Sequence, residues 1–184
     1  LTLADLTAKA LEVLKVNDDE NRTLAEKIHQ FFIQRLSGIY ASQGFSHDVV
    51  NAVLAADSLT LRTISERLQV LAKLKTDAAF PAMITAAKRV YNILAKLEHA
   101  EVSSSLFNDE TEKVLFDVST EINMKLKKSE YRALLDFEKP INALFEAVLV
   151  MDKEPSIRAN RLALLSHVKD TFNRLADFSQ IEEQ

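Results

Sequence analysis

Apolar side chains recur every three or four positions along nearly the whole chain, the period of helices with one dry face. Leu3, Leu6, Ala10, Val13 and Leu14 make a first stripe behind Thr2, a residue type suited to an N-cap. The polar run "VNDDEN" interrupts it, and Asn21 is then placed to cap a long second helix with Leu24, Ile28, Phe31, Phe32, Leu36 and Ile39 inward. Gly44 falls where that helix would end in a left-handed residue. Ser46 is expected to cap a short third helix, with Asp48 at its positive dipole end and Val49, Val50, Val53 and Leu54 on its apolar side. Thr60 begins a fourth (Leu61, Ile64, Leu68, Leu71) that ends near Lys75. A fifth starts around Asp77, takes Pro81 in its first turn and buries Ile84, Ala87, Tyr91 and Leu94. Asn108 and the acidic residues after it open a sixth (Leu115, Val118, Ile122, Leu126), and Ser129 caps a seventh. Pro140 starts an eighth (Ile141, Leu144, Phe145, Val148), and the last helix begins near Pro155. No segment alternates with period two over a strand's length, and no fixed-period repeat is present. The pattern predicts an all-α bundle of about eight or nine helices. Residues 1–184 read as one helical region, with the serine-rich "HAEVSSSLF" (99–107) as the place where it would subdivide.

The last helix holds an anomaly. Ile157, Leu165, Val168 and Phe172 trace a buried stripe, and position 161 on that stripe is an arginine. A guanidinium is too costly to bury alone, so Arg161 must meet acceptors inside or bend its head to an open surface. Glu138, Glu146 and Asp152, close in sequence, are the expected partners if it pins the last helix. In that reading Arg158 and Asn160 face outward. In the other, Arg161 itself grips an external anion.

Composition narrows the chemistry. Two glycines and three prolines in 184 residues fit long helices with short connections. The absence of cysteine rules out disulfides, thiol catalysis and zinc–thiolate sites in this chain. No apolar run approaches the ~20 residues of a membrane span, and the first residue, Leu1, suggests a piece of a longer cytoplasmic chain. The net charge of −4 is uneven: residues 60–99 carry +4 and 153–174 carry +3, within an otherwise acidic chain. Brought together, the two basic segments would form a face for a polyanion. An ordinary mixture of solvated charges accounts for them equally well.

Catalytic signatures are missing. His29, His47, His99 and His167 are isolated from one another, and two glycines cannot build a phosphate loop or a nucleophile elbow. "NDDEN" lacks the glycine and twelfth-position glutamate of a calcium loop. Asn21-Arg22-Thr23 matches a glycosylation sequon, a chance match in a cytoplasmic chain. The expectation is no catalytic residue, no metal ligand and no cofactor on this segment.

Four stretches in order, "FFIQRLSGIYASQGFSHDVVNAVLA" (31–55), "KRVYNIL" (88–94), "PINALFEAVLVMDKEPSIRANRLALL" (140–165) and "RLADFSQI" (174–181), resemble the C-terminal region of the bacterial glycyl-tRNA synthetase β subunit. The literal Asp-Ala-Leu-Arg string that names the domain type is absent, and Leu144 and Glu146 stand where phenylalanine and aspartate would be expected. The resemblance implies a DALR-type anticodon-binding domain, part of a longer β subunit, that binds the anticodon arm of glycine tRNA. It also implies that glycine activation, with its ATP and magnesium, belongs to the partner α subunit.

RNA loops are held by cations on the backbone and by planar or amide groups on splayed bases. The candidate contacts are therefore Lys88, Arg89, Asn92 and Lys96 from one basic segment and Arg158, Asn160 and Arg161 from the other. Tyr91 and Phe145 could stack on a base, although their spacing suits a core role as well. The rival class is a helical scaffold whose apolar grooves hold a protein partner. Salt separates the two, because phosphate binding weakens steeply with added salt.

Overall fold

A computed structural model of the chain describes residues 18–56, 60–94 and 101–182, together with positions 5, 9, 12 and 13. Seven α-helices and three short 3-10 segments appear among them, and no strand. The α-helices are α1 (Asp18–Ser42), α2 (His47–Leu54), α3 (Leu61–Leu74), α4 (Phe80–Leu94), α5 (Glu110–Leu126), α6 (Glu138–Ala147) and α7 (Pro155–Asn173). The 3-10 segments are Ser104–Leu106, Tyr131–Phe137 and Phe178–Gln180. The all-α expectation holds, with fewer helices than eight or nine. Of the first stripe only Val13 is among the described residues, and it is exposed.

Helix ends follow local chemistry. Gly44, at φ 94°, closes α1: its N–H donates to Ala41 O, that of Phe45 donates to Tyr40 O, and the Tyr40 and Phe45 rings meet edge to face at 6.3 Å. This is the hydrogen-bond pair and apolar contact of a Schellman end. Thr60 and Lys75 flank α3 as expected, and Pro155 is the first residue of α7. Asp109 caps α5 in a reciprocal box with Glu112.

Three local expectations are corrected. The acidic residues 18–20 belong to α1, so Asn21 lies inside the helix rather than at its cap; carboxylates suit the positive end of a helix and extend it. Ser129 is not an N-cap but a left-handed residue, at φ 63°, just beyond α5. Its N–H and that of Glu130 satisfy the carbonyls of Leu126 and Lys125, and the helix expected after it is the 3-10 segment 131–137. The inward face assigned to α1 is also wrong in part: Leu24, Phe31, Phe32 and Ile39 are exposed. Among the described residues only α2 lies broadly against α1, and no described element packs broadly on its front half.

The other helices share one core containing Ile64, Leu68, Met83, Val90, Leu115, Ile122, Ile141, Leu164 and Leu165. A chain of rings runs through it, with Phe172 4.8 Å from Phe137 and 5.1 Å from Phe178, and Phe178 6.4 Å from Phe80. The segment after α7 returns to the start of the fold. Asp177 N–H donates to Ala52 O, and the Glu182 N–H reaches Asp48.

Asp48 is buried at this closure, 2.5 Å from the Lys75 ammonium. Burial by itself pushes its carboxyl pKa up, but Lys75, the Ser46 hydroxyl and the Glu182 N–H outweigh it and hold the group below its ordinary value. The folded pKa is thus the lower one, and the resulting stability is complete above the unfolded value of about 3.9 and lost as pH falls through the folded value. Asp48→Asn is expected to be less stable near neutral pH, with the gap to the parent closing in acid. Urea titrations along a pH series check this; a gap independent of pH would remove the ion pair as its source.

Candidate nucleic-acid interface

The two basic segments adjoin, because α4 and α7 pack together. Tyr91 on α4 donates its hydroxyl to Asn173 Oδ1 (2.7 Å), and the Lys169 ammonium lies 5.5 Å from the centre of the Tyr91 ring. Tyr91 is buried, so its ring serves the core and not a base. On the outer side of α4, Arg89 and Asn92 are exposed and one turn apart, while Lys88 is half-buried. The Arg89 guanidinium sits 4.3 Å from the centre of the Phe145 ring and donates to Asn142 Oδ1 (3.1 Å), whose amide in turn donates to Glu138 Oε1 (3.0 Å). An arginine stacked on a ring and tethered at one nitrogen keeps its remaining donors directed outward. Lys96 lies outside the described residues.

The α7 candidates divide. Arg158 is half-buried and donates to the Asp152 carbonyl (2.9 Å). Asn160 does not face outward: it is buried, and both ends of its amide are used on Ser103, accepting from the N–H (2.7 Å) and donating to the carbonyl (3.0 Å). This paired contact pins the segment 101–107 to α7 and leaves no amide group free for a base edge.

Arg161 takes the structural side of its two readings, 6% exposed. Its Nε donates to Glu112 Oε1 (2.6 Å), and one terminal nitrogen donates to both Asp152 Oδ2 (2.8 Å) and the Leu149 carbonyl (3.0 Å). Asp152 was among the expected partners. Glu138 and Glu146 are not used, because the decisive carboxylate comes from the start of α5, 49 positions away. Glu112 is fully buried and fully engaged: its other oxygen accepts the N–H groups of Asn108 (2.6 Å) and Asp109 (2.9 Å). The backbone N–H of Glu154 and then the Arg161 charge hold the Asp152 carboxyl below its ordinary pKa, although partial desolvation opposes them. One side chain thus ties together the first turn of α5, the loop 148–152 and α7.

Two cations escaped the sequence reading. Arg67 on α3 is half-buried with one terminal nitrogen unpartnered, and burial, then the nearby positive charge of Arg174, lower its pKa. Arg174 is exposed and donates to Asn123 Oδ1 (3.0 Å). Both lie in the basic segments; Arg174 also opens the stretch "RLADFSQI", but nothing in the sequence singles out either side chain. Among the described residues no group of three or more His, Asp or Glu could hold a metal ion, and no helix is long and apolar enough to cross a membrane.

No family model matches the chain. Individual proteins do. It is 35% identical over 191 residues to the glycine–tRNA ligase β subunit of Syntrophus aciditrophicus, covering 98% of this chain and 28% of that protein. The β subunit of Vibrio vulnificus strain YJ016 is 31% identical over 198 residues, covering 100% and 29%. That of Buchnera aphidicola is 31% identical over 192 residues, covering 98% and 28%. Over nearly its whole length the chain is related to one part of the glycine–tRNA ligase β subunits. It spans less than a third of the length of these relatives. The buried Arg161–Glu112 lock and the Arg89 tether therefore lie in a stretch related throughout to part of a ligase β subunit.

Proposed function

We propose that this chain is a non-catalytic tRNA-holding part of a glycine–tRNA ligase, binding glycine tRNA through its anticodon arm. The observation that carries the reading is the outer side of α4, where Arg89 is held by Phe145 and Asn142 with Asn92 exposed one turn away. A pre-positioned guanidinium loses little entropy on gripping a phosphate or stacking on an unpaired base, and a neighbouring amide can read a base edge. Lys88, next to Arg89 in sequence, and Arg158 on α7 add positive charge, while Asn160 and Arg161 hold the scaffold. In this reading ATP and magnesium act at the α subunit, and the α subunit and the rest of the β subunit are the protein partners.

The test is filter binding of glycine tRNA over a salt series, with the parent chain and with Arg89→Ala. Loss of one phosphate contact is expected to lower affinity and flatten the log–log salt slope by about one unit. Unchanged affinity and slope would remove the α4 face from the interface.

A further inference from the structure

Helix α1 is 25 residues long, about 37 Å at the standard rise, and none of its described side chains is buried. Its apolar residues occupy two adjoining sectors. Ile33, Leu36 and Tyr40 lie on one and pack against the core. Leu24, Ile28, Phe31, Phe32 and Ile39 lie on the other, within a sector of about 100° at 3.6 residues per turn. Four of these five are exposed, Phe31 at 61%. A surface helix normally carries one apolar stripe facing one neighbour. Here the apolar surface covers about twice that width, and among the described residues the body of the fold supplies only one side.

We propose that the uncovered sector of α1 is the seat of another region of the same, longer β subunit, one that presents an apolar surface. The relatives carry more than two-thirds of their length outside the stretch that this chain matches, so a covering element is available within one polypeptide. A second copy of the chain is a poorer occupant. Five side chains on one helix fall well short of the roughly 20–30 residues per side of a stable interface between separate molecules. Within one polypeptide the high effective concentration makes a small apolar contact sufficient. The inference rests on the family relationship and is independent of RNA binding.

Because these 184 residues contain no cysteine, a single introduced thiol reads the contact. Phe31→Cys is placed in the longer β subunit, and Lys128→Cys, at an exposed site far along the chain, serves as reference. Any thiols elsewhere in the longer subunit are distinguished by mass spectrometry of the labelled peptides. Labelling by a maleimide is expected to be at least about tenfold slower at position 31 than at 128 in the longer subunit, and comparable at the two sites in the 184-residue chain. Leu24→Cys repeats the comparison in case removal of the Phe31 ring disturbs the contact. Equal rates at positions 24, 31 and 128 of the longer subunit would overturn the proposal. So would protection of position 31 in the 184-residue chain: where it rises with concentration and follows a dimer in sedimentation the occupant is a second copy, and where it is independent of concentration the occupant is the chain's own residues 1–17.

Discussion

Arg161→Met is expected to lower the unfolding free energy by about 3–5 kcal/mol, the cost of stranding a buried carboxylate by removing its partner. Glu112 is wholly buried, and one of its oxygens faces only the lost guanidinium among the hydrogen bonds seen. The same change removes a donor from the Leu149 carbonyl and from Asp152, so the loop before α7 keeps only the Arg158 contact of those described between it and the α7 side chains. At about 2–4 °C per kcal/mol for a chain of this size, the melting temperature falls by roughly 10 °C. A double substitution, Arg161→Met with Glu112→Leu, should recover part of the loss by removing the stranded charge, though not the capping box of α5. Thermal melts of the two variants check the argument. A melting temperature for Arg161→Met close to the parent's, with tRNA binding weakened, would instead make Arg161 a reader of RNA.

Phe172→Ala is expected to cost a similar amount, about 3–5 kcal/mol, through lost transfer energy and the cavity left behind. Its ring lies between Phe137 and Phe178, and through Phe178 it is linked to Phe80. These residues come from both sides of the serine-rich segment 99–107, within which Asn160 clamps Ser103 to α7. The loss should therefore reach α3 and α4 as well as α5–α7. Hydrogen exchange in denaturant should show amides of 61–94 and 110–173 losing protection together in a single transition. Exchange that rises in one half and leaves the other intact would mean two independent units.

Local chemistry was legible. Gly44, Asp109 and Pro155 mark helix ends because a left-handed turn, a cap or a fixed φ depends on the residue itself and its neighbours. The stripes of α3 and α4 were legible for the same reason, since each has the body of the fold against one face, whereas α7 is covered on more than one side, by α4, α5 and the segment 104–106. Non-local choices were not. Arg161 stood out as buried, but periodicity carries no trace of a partner 49 positions away. Glu112 was visible as part of an acidic helix start, yet a capping box uses only one of its oxygens and says nothing of the other. Asn160 looked outward because an amide is usually solvated, whereas here the backbone of Ser103 takes both of its groups. Leu24 and Phe31 read as core because an apolar stripe does not reveal whether its cover is present. At the candidate interface the segment charges pointed to α4 and α7. The tether that fixes Arg89, through Phe145 and Asn142 from another helix, arises only from packing.

The central claim is that this part of a ligase β subunit holds glycine tRNA by its anticodon arm. The most direct measurement is binding of this chain to glycine tRNA and to the same tRNA with its anticodon replaced, at one fixed salt concentration. Clearly weaker binding of the altered tRNA is expected, and Arg89→Ala should narrow the difference. Equal binding of the two tRNAs by the parent chain would contradict that claim.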